Sequence, residues 1–415
     1  MTTGSSDAWR GWEHGTAEYR RITIGLFAAG FATFAQVFDA QAVLPAVSTD
    51  AGVDSSVASL LVSAATLGVA VSVLPWAWVA DRIGRTRAMK ASILAASVLG
   101  LVTPLLPSFE SVVAGRLVLG LALGAVPGVS IAYLTEELVP RRVAIAAGVF
   151  VSGNTLGGIS GRLVAGPLSE ALGWRPALLT VAALAAACAT VFLIVIPLPR
   201  GFHPARRHPY PLRTRILFQL RDPVMLGLYA QGLLLMGAFG ALYNYFGYHL
   251  REPPYGLPAA LVSLLFAAYL LGTLASRLSG RLVVRFGVLP VILAGVGLML
   301  AGLLLMAGSP LVLVVTGLAV FTVGCFLAHP AASGQTGARA QLGRAQATAL
   351  YQLSWLGGTA LFGWLGGIVY DGAGWAATLS LLAAMCVAAG AIAIVLLGGP
   401  LAARRPALPP PSSLS

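Results

Sequence analysis

The stretch Ala77-Trp78-Val79-Ala80-Asp81-Arg82-Ile83-Gly84-Arg85 returns, much altered, as Gly280-Arg281-Leu282-Val283-Val284-Arg285-Phe286-Gly287-Val288. Arg82 to Arg285 and Gly84 to Gly287 are both 203 residues, close to half of the 415-residue chain. Leu156-Gly157-Gly158 returns as Leu356-Gly357-Gly358 at an offset of 200, and Gly173-Trp174 as Gly374-Trp375 at 201. Hydrophobic segments often resemble one another by chance, but matching loop motifs at matching positions are rare. The chain therefore reads as two homologous halves.

Its solvent is lipid. Only 10% of residues are charged and 58% are hydrophobic, against about 25% and 45–50% in soluble domains. Mean hydropathy is +0.86. So few charges cannot cover a water-soluble body of this size. The net charge of +12 would suggest nucleic acid if it formed a patch on a soluble fold. Here the basic residues sit in short clusters between long apolar runs, which points to membrane topology and to no nucleic-acid partner. Cys188, Cys325 and Cys386 all lie in apolar runs, with neither disulfide framework nor metal spacing. No cleavable signal peptide is read, because residues 1–19 are polar and the first apolar run is long enough to span.

Twelve runs of spanning length begin near Ile22, Ser56, Ala88, Ser111, Val143, Pro176, Val224, Pro258, Leu289, Leu311, Ala345 and Ala376. They are predicted to be helices, because a helix satisfies its own backbone in lipid and runs this long are not barrel strands. The loops on one side carry 21 basic residues and the opposite loops only Arg175 and Arg251. The positive-inside rule then predicts that both termini are cytoplasmic, with the protein in the cell's inner membrane. The predicted organisation is a tail over 1–21, a six-helix bundle over 22–197, a cytoplasmic loop over 198–222, a second bundle over 223–398, and a tail over 399–415. The central loop holds His203, His208 and six arginines; the last tail is Pro- and Ser-rich and expected to be disordered. Both copies of the basic loop fall on one side, so the repeats are parallel, related by an axis along the membrane normal. Two such bundles suit alternating access around a central site.

The Ala77–Arg87 segment resembles the D-R-x-G-R loop signature of the major facilitator superfamily, and the likeness covers about residues 22 to 398. Gln41 to Pro45, Gly153 to Arg162 and Phe326-Leu327-Ala328-His329 resemble the drug/proton antiporter branch, near its arabinose-efflux-permease-like members. The resemblance implies an all-α fold of two parallel six-helix bundles. It also implies that Asp81 sits against the positive N-terminus of the eleventh helix, near Ala345. Arg82 and Arg85, one helical turn apart, are expected to reach Glu136, and with Asp81 and Gly84 to latch the halves on the cytoplasmic side. Ala77 stands where the pattern opens with Gly, and Val284 replaces the acid in the second copy.

Gly120, Gly124 and Gly128 repeat every four residues on the fourth span, as do Gly153, Gly157 and Gly161 on the fifth. Such ladders let helix backbones approach closely. In the family the fifth-span ladder reads G-x-x-x-G-P-x-x-G-G; here Gly158 stands in place of its Pro and Arg162 in place of its last Gly.

A charge at mid-bilayer costs about 2.5–3.5 kcal/mol on insertion scales, so it is rarely idle. Counting residues into their spans puts Asp39, Arg116 and Arg162 together in the outer third of the membrane, at about 1.5 Å per residue. They are candidates for a proton- or substrate-responsive cluster, or for a static ion pair, with Gln36 on the face of Asp39. First and fourth helices line the central cavity in the family. His329 is the one histidine inside a predicted span, and it can titrate at physiological pH. Tyr243, Asn244, Tyr245, Tyr351, Gln352 and Trp355 are candidates to line an amphipathic pocket, or interfacial aromatics and their neighbours.

The function read from this is secondary active transport without cofactor or metal. The expected form is proton-coupled efflux of a small amphipathic or sugar-like molecule by a protein working as a monomer. Proton-coupled uptake through the same fold is the alternative. A non-transporting sensor and an intramembrane enzyme are distant ones. An ATP-driven pump would need G-x-x-x-x-G-K-[ST], but the sole lysine, Lys90, is followed by Ala91. Neither H-E-x-x-H nor G-x-S-x-G occurs.

Overall fold

A computed structural model describes residues 9–202 and 210–399. The 203–209 part of the central loop, with His203 and His208, and the tail after Gly399 lie outside them. The spans are α1 Ala17–Ala42, α2 Ser55–Ile83, α3 Arg85–Leu105, α4 Phe109–Glu137, α5 Pro140–Leu172, α6 Trp174–Val195, α7 Pro223–Arg251, α8 Ala259–Phe286, α9 Val288–Met306 and α10 Leu311–Arg339. A final helical stretch, Arg344–Leu397, breaks at Gly374 (φ 73°, ψ −169°) into α11 (344–373) and α12 (375–397). Among the described residues the fold thus has twelve spanning helices in two parallel bundles of six.

The internal repeat is also a repeat of backbone conformation. Gly84, Gly173, Gly287 and Gly374 join α2 to α3, α6 to its predecessor, and their two counterparts in the second half. All four combine positive φ (98°, 87°, 87°, 73°) with an extended ψ, a region essentially restricted to glycine. Each lets one span end and the next begin in a single residue.

Local chemistry explains where the spans start. α1 begins at Ala17 rather than Ile22 because Thr16 Oγ1 accepts the Tyr19 N–H at 3.2 Å, a side-chain N-cap. Ser108 and Ser111 form a capping box at α4. Asp222 caps α7 through the Val224 N–H at 3.0 Å, with Pro223 at the first helical position. The segment expected as an N-terminal tail is bound from Trp9 onward: Trp9 Nε1 donates to the Glu136 carbonyl (3.0 Å) and the Trp12 N–H to the Glu137 carbonyl (2.7 Å). The central loop contains a helix that hydropathy did not suggest, Leu212–Leu220.

The glycine ladders sit where helices nearly touch. A Cβ added at Gly120 would meet the Ala65 carbonyl oxygen of α2 at 2.2 Å, at Gly124 the Ser72 Oγ at 2.1 Å, and at Gly128 the Val73 carbonyl oxygen at 3.1 Å. On α5, Gly153, Gly157 and Gly161 face the α1 carbonyls of Phe27, Phe31 and Ala35, at 2.3, 2.2 and 2.6 Å from such a Cβ. Gly157→Ala should therefore destabilise the protein by about 1–2 kcal/mol, since the clash is with backbone and cannot be relieved by a rotamer. Gly148→Ala on the same helix meets nothing within 4 Å and should be neutral. Thermal unfolding of the two variants in detergent checks this; equal midpoints would refute the close-packing account.

The two bundles meet along α2 and α11, where Val69 and Val73 cluster with Leu353 and Leu356. They are tied further at the face opposite the termini. There Gln41 Nε2 donates to Asn244 Oδ1 (2.7 Å), and Ser48 Oγ and Tyr248 OH share a hydrogen bond (2.7 Å). Asp371 takes both the N–H and the hydroxyl of Ser55 (3.2 and 2.6 Å) and the N–H of Ser56 (2.9 Å).

Candidate substrate cavity

Between the bundles lies a cavity of about 550 Å³, lined from α1, α5, α7, α8, α10 and α11. Its lining reaches Ser333 and Gly334, within a few residues of the end of α10 at Arg339, so it extends toward the face that carries the termini. Its other end is closed by the Gln41–Asn244 contact and the layer beyond it. Helical periodicity supplies the lining: Phe34, Phe38 and Gln41 from one stripe of α1, and Asn154, Gly158 and Arg162 from one stripe of α5.

Arg162 forms the blind end and is fully buried. Its Nε and Nη2 both donate to Gln41 Oε1 (2.8 and 2.5 Å), Nη1 to the Gly158 carbonyl (2.8 Å), and Nη2 also to Tyr269 OH (3.0 Å). The rings of Phe38, Tyr269 and Phe266 surround its guanidinium at 4.8, 4.6 and 5.1 Å, within cation–π range. All these partners are uncharged.

The three membrane-embedded charges do not form one cluster. Asp39 pairs with Arg116 at 2.9 Å, each side chain 3% exposed. Arg116 also donates to the carbonyls of Leu61 (3.0 Å) and Val37 (3.1 Å). This pair shares a small recess with Gln36, Gly100 and Thr103 inside the first bundle, apart from the central cavity. The cause is rotation: Phe38 and Gln41 face the cavity, so Asp39, about 100° round from Phe38, faces away. α4 correspondingly packs on α2 and contributes nothing to the cavity lining, contrary to expectation.

Rotation also separates the proposed pocket residues. Tyr243, Asn244 and Tyr245 are consecutive and cannot share a face. Tyr243 bonds Thr322 Oγ1 at 2.7 Å behind the cavity wall, Asn244 meets Gln41, and Tyr245 donates to the Gly363 carbonyl. Tyr351 lies behind His329, its hydroxyl 2.9 Å from Nδ1 and donating to the His329 carbonyl at 3.0 Å. His329 and Trp355 do line the cavity; Gln352 is half-buried outside the lining. Gln41, Phe38, Phe239, Tyr269 and Phe326 were not singled out as site residues. The i, i+4, i+7 spacing of Phe34, Phe38 and Gln41 is the signal that could have found the α1 wall.

The cytoplasmic-latch residues are only partly gathered. Arg85 pairs with Asp81 and, at 3.0 Å, with Glu136. Arg82 instead stacks 3.6 Å over Trp78. Arg82 lies in the last turn of α2 and Arg85 begins α3, so the break at Gly84, not a continuous helical turn, separates them. The carboxylate of Asp81 is engaged by Arg85, within its own bundle, and the α11 N-cap, Gly343, carries no side-chain cap; the expected contact of Asp81 with α11 belongs to the state closed at this face, whereas here the cavity extends toward it. At the same face of the second bundle, Asp222 holds Arg339 at 2.6 Å, tying α7 to α10.

Comparison with known proteins agrees with this architecture. The family model described as Major Facilitator Superfamily matches residues 22–253. This chain belongs to the major facilitator superfamily. It is 35% identical over 375 residues to YybF of Bacillus subtilis (strain 168), an uncharacterized MFS-type transporter, covering 90% of this chain and 93% of the relative. It is 37% identical over 377 residues to the inner membrane transport protein YnfM of Escherichia coli (strain K12), covering 91% and 90%. Among solved structures, a peptide transporter, POT, in complex with sulfate superposes with a TM-score of 0.73 at 15% identity, covering 94% of this chain and 95% of that one. A bacterial homologue of the human lysosomal transporter Spinster gives 0.69 at 17%, covering 92% and 96%. The chain is a multi-pass membrane transporter of this superfamily and not an enzyme.

Proposed function

We propose that this transporter exports a small amphipathic molecule by alternating access, driven by protons, through the cavity between its two bundles. The observation that carries the reading is that cavity: about 550 Å³, walled by both bundles, its surface mostly aromatic and apolar, with polar groups at the blind end (Gln41, Arg162) and toward the mouth (His329, Ser333). Ligand sites of about 300–1,000 Å³ with this balance hold drug-sized molecules. The bundles over 22–197 and 223–398 are the moving units, rocking about the contacts between them. With the termini in the cytoplasm of a bacterial cell, as the basic loops argue, the cavity in this state faces inward. The protein works as a monomer in the inner-membrane bilayer.

His329 is the proposed coupling residue. It is the histidine that lines the cavity, a side-chain type suited to carrying protons, and the Tyr351 hydroxyl meets its ring. Asp39, by contrast, is committed to Arg116. In proteoliposomes carrying a pH gradient and a panel of amphipathic compounds, His329→Gln should still transport downhill but lose at least about tenfold of the gradient-driven component. An unchanged response to the gradient would return the coupling role to Asp39. Substrate movement against the direction of proton entry supports export; movement with it supports uptake.

A further inference from the structure

The cavity has a polarity of charge that the proposed function does not use. Of its lining residues one is an arginine, one is a histidine and none is acidic. The arginine is fully buried, and Asp39, an acid of the neighbouring helix, is taken by Arg116. A buried cation normally has an anionic partner, because neutral acceptors only partly replace its hydration. Arg162 has neutral ones only: a carboxamide, a peptide carbonyl, a phenol and aromatic faces.

The carboxamide is placed as a substitute. Nε and Nη2 form the edge of guanidinium that grips a carboxylate in two parallel hydrogen bonds. Here both converge on the single oxygen of Gln41. Gln41's nitrogen is meanwhile held by Asn244 of the other bundle. An oxygen-bearing anion entering from the cavity would give that edge two charged acceptors in place of one neutral acceptor. It would also free Gln41, loosening one tie between the bundles at the closed face.

Resting on the reading of this cavity as the transport site, we propose that the substrate is an organic anion, its carboxylate displacing Gln41 from Arg162 and its apolar body lying along Phe38, Phe326 and Trp355. Ligand charge, more than shape, then decides what is carried. Substrate binding and release of the Gln41–Asn244 contact become one event.

The test compares three radiolabelled probes of one shape on the purified full-length protein in nanodiscs: 2-naphthoate, 2-naphthamide and 2-naphthylmethylammonium. The native protein should bind the carboxylate at least about tenfold more tightly than the amide, the range expected for a hydrogen bond to a charged group, and the ammonium least. Arg162→Gln should abolish the preference while keeping amide binding, and Arg162→Lys should keep part of it. Gln41→Ala, which removes the competing acceptor, should leave carboxylate binding equal to or tighter than native. Equal binding of carboxylate and amide by the native protein, no carboxylate binding at all, or an undiminished preference in Arg162→Gln would overturn the proposal. A large loss of carboxylate binding in Gln41→Ala would overturn the displacement of Gln41. Ser333→Trp, which fills the mouth of the cavity, separates the two readings. It should block all probes, whereas an intact charge preference in that variant would show that the anion site is not reached through this cavity and would sink the underlying reading instead.

Discussion

Asp39→Ala is expected to destabilise the protein by about 3–5 kcal/mol, the usual cost of removing one partner from a buried ion pair. Asp39 does two jobs. Its Oδ1 accepts the Ala40 N–H at 2.7 Å, where α1 tightens into a final 3-10 turn, and it lies 2.9 Å from Arg116 Nη1. Arg116 is the larger part of the argument. It reaches from α4 to the Leu61 carbonyl of α2 and the Val37 carbonyl of α1, so one side chain staples three helices. Without Asp39 its charge is left with neutral acceptors in a recess of only about 10 Å³, too small to admit a water shell. Asp39→Asn should fall between native and Ala, because it keeps the size but not the charge. The double variant Asp39→Leu/Arg116→Met should recover most of the loss, since replacing both partners by apolar groups is often neutral. Unfolding in mixed micelles, monitored by circular dichroism, gives the comparison. A single variant as stable as the native protein would show that the pair is dispensable for folding and available for transport chemistry.

Asp371→Ala should shift the conformational equilibrium by about 2–3 kcal/mol, or roughly thirty- to 150-fold, toward states open at the face opposite the termini. The carboxylate, at the end of α11, accepts three hydrogen bonds from the first residues of α2 in the other bundle. Hydrogen bonds to a charged group contribute about 1.5–3 kcal/mol each when well shielded. Asp371 is exposed, so the sum is reduced by solvent screening. The N-terminus of α2 adds its own attraction for a negative charge. The Gln41–Asn244, Ser48–Tyr248, Arg162–Tyr269 and Glu170–Ala260 contacts also join the bundles toward that face, but none stabilises either bundle internally, so the effect should appear as population rather than as unfolding. Spin labels at Glu110→Cys and Ser309→Cys, both exposed positions on opposite bundles, would report it. The longer inter-label distance should gain weight in Asp371→Ala and lose it again in Asp371→Glu. Unchanged distance distributions would mean that α2–α11 packing, not this carboxylate, holds the face closed.

Sequence alone determined the solvent, the spans, the duplication and the parallel relation of the halves. These follow from quantities that are local or additive: apolar run length, counts of basic residues per loop, and glycine punctuation at offsets of 200–203 residues. The glycines are the clearest case, because the conformation that joins one span to the next admits almost no other residue, so Gly84 and Gly287 are marked in the sequence as well as in the backbone. The ladders of Gly153, Gly157 and Gly161 were legible for the same reason: close backbone approach leaves no space for a Cβ. What only the tertiary structure decided is which side chains meet. Depth along a span can be counted, and it placed Asp39, Arg116 and Arg162 at one level. Azimuth cannot be counted without knowing each helix's rotation and neighbours, and it sent Asp39 to Arg116 and left Arg162 to Gln41. In a soluble helix the polar face reveals the rotation, but in lipid both the packed and the exposed faces are apolar, so hydropathy carries little rotational signal. The same loss hid the wall formed by Phe38, Tyr269 and Phe326, and it put Arg82 beside Trp78 rather than Glu136.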